Sequence, residues 1–325
     1  MNETLLKVSI TGATGFVGSA LVKKLMSLHC FEVLALIRQK PLHAVTGIQY
    51  MQIRDLAPDT DWQGGLSGVD VLVHTAARVH VMNDTVANPL TEFRRVNVDG
   101  TLNLAQQAAA AGVRRFVFIS SIKVNGEATQ LGCSFKADDV SAPLDAYGVS
   151  KMEAEQGLRK ISDQTGMDVT ILRPTLVYGP GVKANFADMM RWLQRGVPLP
   201  LGAIHNQRSL VALDNLVDLI VTCLTHPAAA NQTFLVSDGE DLSTTQLLRR
   251  MGAVLGKPAR LIPVPVFALK FGAALVGKPE LAQRLCGSLQ IDMSKTQKLL
   301  RWTPPFSVDE SLQKAAEGYL RETAV

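Results

Sequence analysis

The run Thr11-Gly-Ala-Thr-Gly-Phe-Val-Gly18 follows the apolar stretch Val8–Ile10 and precedes Ser19–Met26, whose pattern predicts a helix. A strand, a glycine turn and a helix in immediate succession constrain the fold more than any other feature of the chain. Glycines at a helix N-terminus let backbone amides approach a pyrophosphate, and the aligned peptide dipoles favour its negative charge. Gly12, Gly15 and Gly18, with Phe16 and Val17 between them, therefore read as a dinucleotide cradle. Taken alone, the same spacing also fits an ordinary tight turn between a strand and a helix.

A second signature lies far downstream. Tyr147 and Lys151 stand four residues apart, hence on one face of a helix, beyond the strand-like run Arg115–Ser121. An ammonium beside a phenol favours the phenolate, so the spacing predicts a lowered Tyr147 pKa and a side chain able to move protons near neutrality. Ser121, 26 residues upstream at the end of its strand, is placed to hydrogen-bond the same substrate oxygen.

Together, TGATGFVG, Ser121 and the Tyr147–Lys151 segment YGVSK resemble the extended short-chain dehydrogenase/reductase family, in particular its nucleotide-sugar epimerase, dehydratase and reductase branch. The resemblance runs over nearly the whole chain. It implies catalytic roles for Ser121, Tyr147 and Lys151, with Asn97 of RVNVDGT as the helix asparagine that supports the site. It implies cofactor contacts at Asp55 and Leu56 after the third strand and at Tyr147, Lys151 and Pro174, while Thr75, Ala76 and Ala77 offer small residues where backbone must approach the cofactor. Arg208 in QRSLVALDNLVD is implied as the contact to a sugar-nucleotide diphosphate, with Asn185 and Arg284 as further substrate candidates.

The end of the second strand bears on the cofactor. NAD-selective versions of such a fold carry an acidic residue there for the ribose hydroxyls, whereas an arginine suits a 2′-phosphate. Val33–Arg38 ends in Arg38, followed by Gln39 and Lys40. A guanidinium makes charge-assisted hydrogen bonds to phosphate, so NADP(H) is the expected cofactor and NAD(H) the alternative.

The chemistry narrows by what is missing. Dehydratases of this branch follow the catalytic hydroxyl residue with an Asp-Glu pair, because loss of water needs a further acid and base. Here Ser121 is followed by Ile122 and Lys123, which disfavours dehydration. Asn125 stands where related epimerases carry an aromatic residue, which reads against simple 4-epimerisation. A reductase consumes reduced cofactor at each turnover, which agrees with Arg38. The expected activity is therefore reduction, or reversible oxidation, at C4 of a UDP-linked 6-deoxy-N-acetylhexosamine for bacterial surface polysaccharide. A UDP-sugar 4-epimerase is the alternative, and a short-chain reductase of a non-sugar ketone the second alternative. A cofactor-sensing interaction protein is disfavoured because it has no use for a proton donor.

Strand-like runs alternate with helical segments as far as Leu172, which predicts an α/β architecture: a doubly wound parallel sheet of the Rossmann type. The expected division is a dinucleotide-binding domain over 1–177 with a returning strand near 233–237, and a smaller substrate domain from 178–232 and 238–325. Ser243–Gln246 and Ser307–Glu310 fit capping boxes that open helices. A net charge of +4 over 325 residues suggests no nucleic-acid partner. Four scattered cysteines indicate neither a disulfide framework nor a zinc site, and His74 and His80 read as structural, so no metal is expected. No secretory signal is apparent, and Leu261–Val276 is shorter than the ~20 apolar residues of a span. It reads as a loop and buried helix, with contact to a membrane-bound partner as the alternative. These readings place the protein in the cytoplasm with a UDP-sugar as its small-molecule partner, and a homodimer is compatible with them.

Overall fold

Aliphatic and β-branched runs that alternate between two covering layers build the centre of the molecule, as the computed structural model shows for residues 5–39, 46–79, 88–275, 277 and 279–323. The main sheet contains β1 (Leu6–Thr11), β2 (Phe31–Ile37), β3 (Gln49–Gln52), β4 (Val71–His74), β5 (Arg115–Ile119), β7 (Asp168–Pro174) and β10 (Thr233–Val236). A two-residue strand, β6 (Ser134–Phe135), pairs outside it with β12 (Gln290–Ile291). The seven strands run in the order β10-β7-β5-β4-β1-β2-β3, and every pairing is parallel. The expected parallel sheet and the return of 233–236 to its edge are both observed.

Successive side chains of a strand point to opposite faces, and β2 shows the consequence. Val33, Ala35 and Ile37 join a core with Leu21 and Leu25 of α1 (Phe16–Leu28) and with Leu216 and Ile220 of a helix at Leu213–Thr225. Leu34 and Leu36 face the other way, into a core with Trp62, Leu104, Ala108, Ala154 and Leu158. The second layer consists of α2 (Gln63–Leu66), α3 (Pro89–Phe93), α4 (Gly100–Ala110) and α5 (Ala146–Thr165). The Leu213–Thr225 helix lies within the span expected to belong to the substrate domain, but its fully buried face packs on α1 and covers the main sheet instead.

A third core assembles around a small sheet of β8 (Leu176–Tyr178), β9 (Arg208–Ala212) and β11 (Asp241–Leu242). It is closed by α6 (Ala184–Gln194), α8 (Thr244–Val254) and α12 (Val308–Thr323), through Phe186, Met190, Leu248 and Leu312; the Leu213–Thr225 helix is α7. Both predicted capping boxes form. Ser243 Oγ accepts from Gln246 N at 3.0 Å and Gln246 Oε1 accepts from Ser243 N at 2.8 Å; Ser307 and Glu310 make the same exchange at the start of α12.

Helix α9 (Val266–Leu275) departs from its expected burial, since none of its residues is buried. Apolar composition alone does not distinguish a core helix from a surface one. The remaining helices are α10 (Pro279–Cys286) and α11 (Ser294–Leu300). Among the described residues no helix is long and apolar enough to cross a membrane. Lys40, His80 and Val276 lie outside the described residues.

Candidate active site

The chain order reverses between β1 and β4, and ligands of open parallel sheets bind where it does, beyond the carboxyl ends of the strands. There the structure opens a cleft of about 860 Å³. Its floor is the turn from β1 into α1. Gly12 adopts a φ of +67°, and a Cβ on it would stand 2.7 Å from Ala76 N. A Cβ on Gly18 would stand 2.2 Å from Gly12 O, so the helix and the turn approach as closely as they do only because both positions lack a side chain. Gly15 is the N-cap of α1 and offers no side-chain cap, which leaves the amides of the first helical turn facing the cleft. Uncapped amides at a helix N-terminus fit the pyrophosphate of a dinucleotide. Phe16, Val17, Thr75, Ala76 and Ala77 line the same wall, and Thr75 Oγ1 fixes the two strand ends together by donating to Thr11 O at 2.7 Å.

Arg38, Asp55 and Leu56 line the end of the cleft beyond β2. Arg38 is 74% exposed and its Nη1 lies 3.8 Å from Asp55 Oδ1, while that oxygen also accepts from Leu56 N at 2.8 Å. Two residues that the sequence did not single out share this end. Arg95 is turned toward Glu92 at 3.2 Å, and Trp62 is fully buried with an indole N–H that has no acceptor among the described residues. Arg95 could have been found from its place two residues before Asn97. Trp62 carries no local signal.

At the other end, Ser121, Tyr147, Lys151 and Pro174 meet. Asp145 caps α5 by accepting from Gly148 N at 2.7 Å, and its carboxylate also takes the Lys123 ammonium. Tyr147 leans edge-on against Phe93 with ring centroids 6.0 Å apart. Lys151 is 2% exposed; its Nζ donates to Ile119 O at 2.8 Å and lies 4.4 Å from the Phe118 ring centre and 5.9 Å from that of Tyr147. Burial disfavours the ammonium and lowers its pKa to about 7, against a smaller opposing pull from the Glu155 carboxylate.

The expected lowering of the Tyr147 pKa is not observed. Burial pushes it upward, and the Asp145 charge adds to the rise. Desolvation of the phenolate is the larger cause, so burial favours the phenol form of Tyr147. His74 is structural as expected. It is enclosed between Thr11 Oγ1 at 2.6 Å and Thr101 Oγ1 at 3.0 Å, and burial lowers its pKa to about 3.

Asn97 does not line the cleft. It sits 1% exposed in a π-helical segment, Arg94–Asp99, between α3 and α4. Its Oδ1 accepts from Arg78 N at 2.8 Å, and its Nδ2 donates to Arg78 O at 3.0 Å and Ser150 Oγ at 3.1 Å. It ties the loop after β4, which lines the cleft, to α5. The extra backbone residue of a π turn is a recurring device at functional sites.

Three substrate candidates also stand outside the cleft walls. Asn185 is exposed in the first turn of α6. Arg208 Nη1 donates to Arg284 O and Gly287 O, both at 3.1 Å, and burial lowers its pKa. The Arg284 side chain is exposed, 3.8 Å from Glu280. Positions 208 and 284 are thus neighbours, through the backbone of one and the guanidinium of the other.

Asn125 belongs to a buried charge network rather than to the cleft. Glu155 accepts from Ser120 Oγ at 2.5 Å and from Arg173 Nε and Nη2 at 2.9 and 2.6 Å, and Arg173 Nη1 donates to Asn125 Oδ1 at 2.9 Å. This cluster underlies the strand end that presents Ser121. The asparagine is there to satisfy a buried guanidinium, so its departure from the epimerase pattern does not argue against epimerisation.

Fold and cleft together are those of the extended short-chain dehydrogenase/reductase class. The family described as "NAD dependent epimerase/dehydratase family" matches residues 8–237. The chain is 49% identical over 318 residues to a UDP-glucose 4-epimerase of Vibrio cholerae, covering 97% of this chain and 95% of the relative. It is 26% identical over 331 residues to the N-acetyl-alpha-D-glucosaminyl-diphospho-ditrans,octacis-undecaprenol 4-epimerase of Escherichia coli O157:H7, covering 98% and 95%. The crystal structure of a UDP-glucuronic acid 4-epimerase from Bacillus cereus in complex with NAD superposes with a TM-score of 0.79 at 21% identity, covering 97% of each chain. This chain belongs to the NAD dependent epimerase/dehydratase family and is an enzyme of that class.

Proposed function

We propose that this enzyme is a UDP-sugar 4-epimerase that takes a hydride from C4 of a hexose and returns it to the opposite face. One observation carries the reading: the glycine cradle, Ser121, Tyr147 and Lys151 line a single cleft, with no carboxylate pair after Ser121 to serve a dehydration. Ile122 is buried, and Lys123 is bound to Asp145 and Glu127. The relative in Vibrio cholerae supports the same reaction, and the withdrawal of Asn125 into the core removes the objection to it. The substrates named for the two relatives differ beyond the diphosphate and share a hexose attached to it. A C4-inverted UDP-sugar is a donor for surface polysaccharide, the setting we assign to it.

NAD, when bound, would supply the hydride acceptor and donor for C4. The turn of Gly12, Gly15 and Gly18 would hold its pyrophosphate. Tyr147 exchanges the proton of the C4 oxygen, and Ser121 Oγ holds that oxygen. Burial of the Tyr147 ring favours the phenol and hence the proton-donating half of the cycle, while the charge on Lys151 favours the other half. Asn97 positions Arg78 along the cleft. Arg208, fixed by the carbonyls of Arg284 and Gly287, is our assignment for the diphosphate, and Asn185 and Arg284 are our further assignments for the substrate.

A specific observation favours a second reading, a C4 ketoreductase using NADP(H). Arg38 is largely exposed at the end of β2 and loosely paired with Asp55, which suits a 2′-phosphate, although the Asp55 carboxylate opposes one. Purified protein given UDP-glucose or UDP-N-acetylglucosamine with NAD discriminates the two. The epimerase yields the C4 epimer with no net change in nicotinamide absorbance. Stoichiometric oxidation of NADPH with a 4-keto sugar, and no epimer, selects the reductase.

A further inference from the structure

Helix α9 presents an apolar stripe to solvent. Phe267, Phe271 and Leu275 are 77, 67 and 73% exposed and recur every fourth residue, forming a ridge about 12 Å long. The opposite side of the helix is anchored, because Val266 and Leu269 lean on the third core. Ile262 and Leu281, on the segments that precede and follow α9, are exposed as well. Scattered exposed apolar residues need no explanation, but a contiguous ridge marks an interaction surface.

Charge is distributed unevenly along the segment that contains it. Residues 242–291 contain seven arginines and lysines and one acid, Glu280, an excess greater than the whole chain's net charge of +4. Lys257, Arg260 and Lys270 are exposed, and none of the three has an ion-pair partner among the described residues. Lys270 emerges on the flank of the ridge, where a long side chain can lay its stem along an apolar surface and keep its ammonium in water.

We propose that α9 docks on an anionic lipid surface, with Phe267, Phe271 and Leu275 inserted at the headgroup boundary and the surrounding cations against lipid phosphates. A ten-residue helix reaches about 15 Å, half the ~30 Å hydrocarbon core, so it lies on a bilayer and does not cross it. Buried apolar area and attraction to anionic headgroups both contribute to such binding. A second copy of the chain is a poorer occupant. A two-fold interface would set this patch against itself and bring Lys257, Arg260 and Lys270 toward their own like charges. None of these residues lines the catalytic cleft, so docking is independent of which sugar the enzyme converts.

The test is vesicle flotation with the full chain, using vesicles of mixed phosphatidylglycerol and phosphatidylcholine against pure phosphatidylcholine. Binding is expected to the anionic vesicles alone and to weaken with added salt. Phe267→Ser/Phe271→Ser/Leu275→Ser should lose at least about tenfold in binding, and Lys270→Glu, which leaves the ridge intact, should lose several-fold. Cofactor binding in both variants should match the wild type. Absence of binding to anionic vesicles, or undiminished binding by either folded variant, overturns the proposal. So does a wild-type dimer in sedimentation velocity that the triple variant converts to monomer, since the ridge then belongs to a second copy.

Discussion

Replacing Lys151 by methionine should make the folded protein more stable while removing its activity. The ammonium is 2% exposed, with a hydrogen bond to Ile119 O and the aromatic rings of Phe118 and Tyr147 nearby. Burial lowers its pKa from 10.5 to about 7. The unfolded chain keeps that proton to about pH 10.5 while the folded chain releases it near pH 7. Between those values the unfolded state binds more protons, so the wild type gains stability from this group as pH rises. Below pH 7 the full penalty applies. A shift of this size corresponds to about 5 kcal/mol at most, and relaxation around the site reduces it to a few kcal/mol. Lys151→Met keeps the volume of the stem and removes the charge. In urea denaturation of cofactor-free protein, its midpoint should exceed that of the wild type at pH 7, and the difference should shrink toward pH 10.5. A variant no more stable than the wild type at pH 7, or a difference that does not change with pH, would refute the argument from burial.

Four further outcomes follow from the geometry. Tyr147→Phe should lower kcat by about 10²–10⁴-fold with cofactor affinity unchanged, as single-turnover kinetics and calorimetry would show. Gly18→Ala places a methyl 2.2 Å from Gly12 O; it should cost about 1–3 kcal/mol in thermal unfolding and abolish cofactor binding measured by calorimetry. Arg173→Met deprives buried Glu155 of both of its closest guanidinium bonds, at 2.6 and 2.9 Å, and should destabilise the protein by about 3–5 kcal/mol in urea, whereas Arg38→Ala should leave stability unchanged.

What could be read in the sequence was local. The glycine turn declares itself because steric crowding between neighbouring peptides excludes side chains there. Tyr147 and Lys151 share a face because of helical spacing, and Ser243 and Ser307 announce helix starts through residues three positions away. The Glu155–Arg173–Asn125 network could not be read, because its members come from three separate segments and each alone resembles a surface residue. The same holds for the Tyr147 pKa, which depends on burial that a spacing does not contain. Asn97 is legible from its motif, but its place in a π-helical segment behind the cleft wall is not, because no propensity announces that turn. The exposed ridge of α9 has the composition of a core helix, and only the placement of its neighbours decides otherwise.

In the proposed reaction one cofactor takes the C4 hydrogen and gives it back to the same sugar. UDP-glucose carrying deuterium at C4, incubated with the enzyme and unlabelled NAD and followed by mass spectrometry and NMR, tests it directly. UDP-galactose is expected to form with deuterium retained at C4, and none should enter free nicotinamide dinucleotide. Loss of the label to the free cofactor pool, or no epimer at all while a 4-keto sugar is reduced at the expense of NADPH, would contradict it.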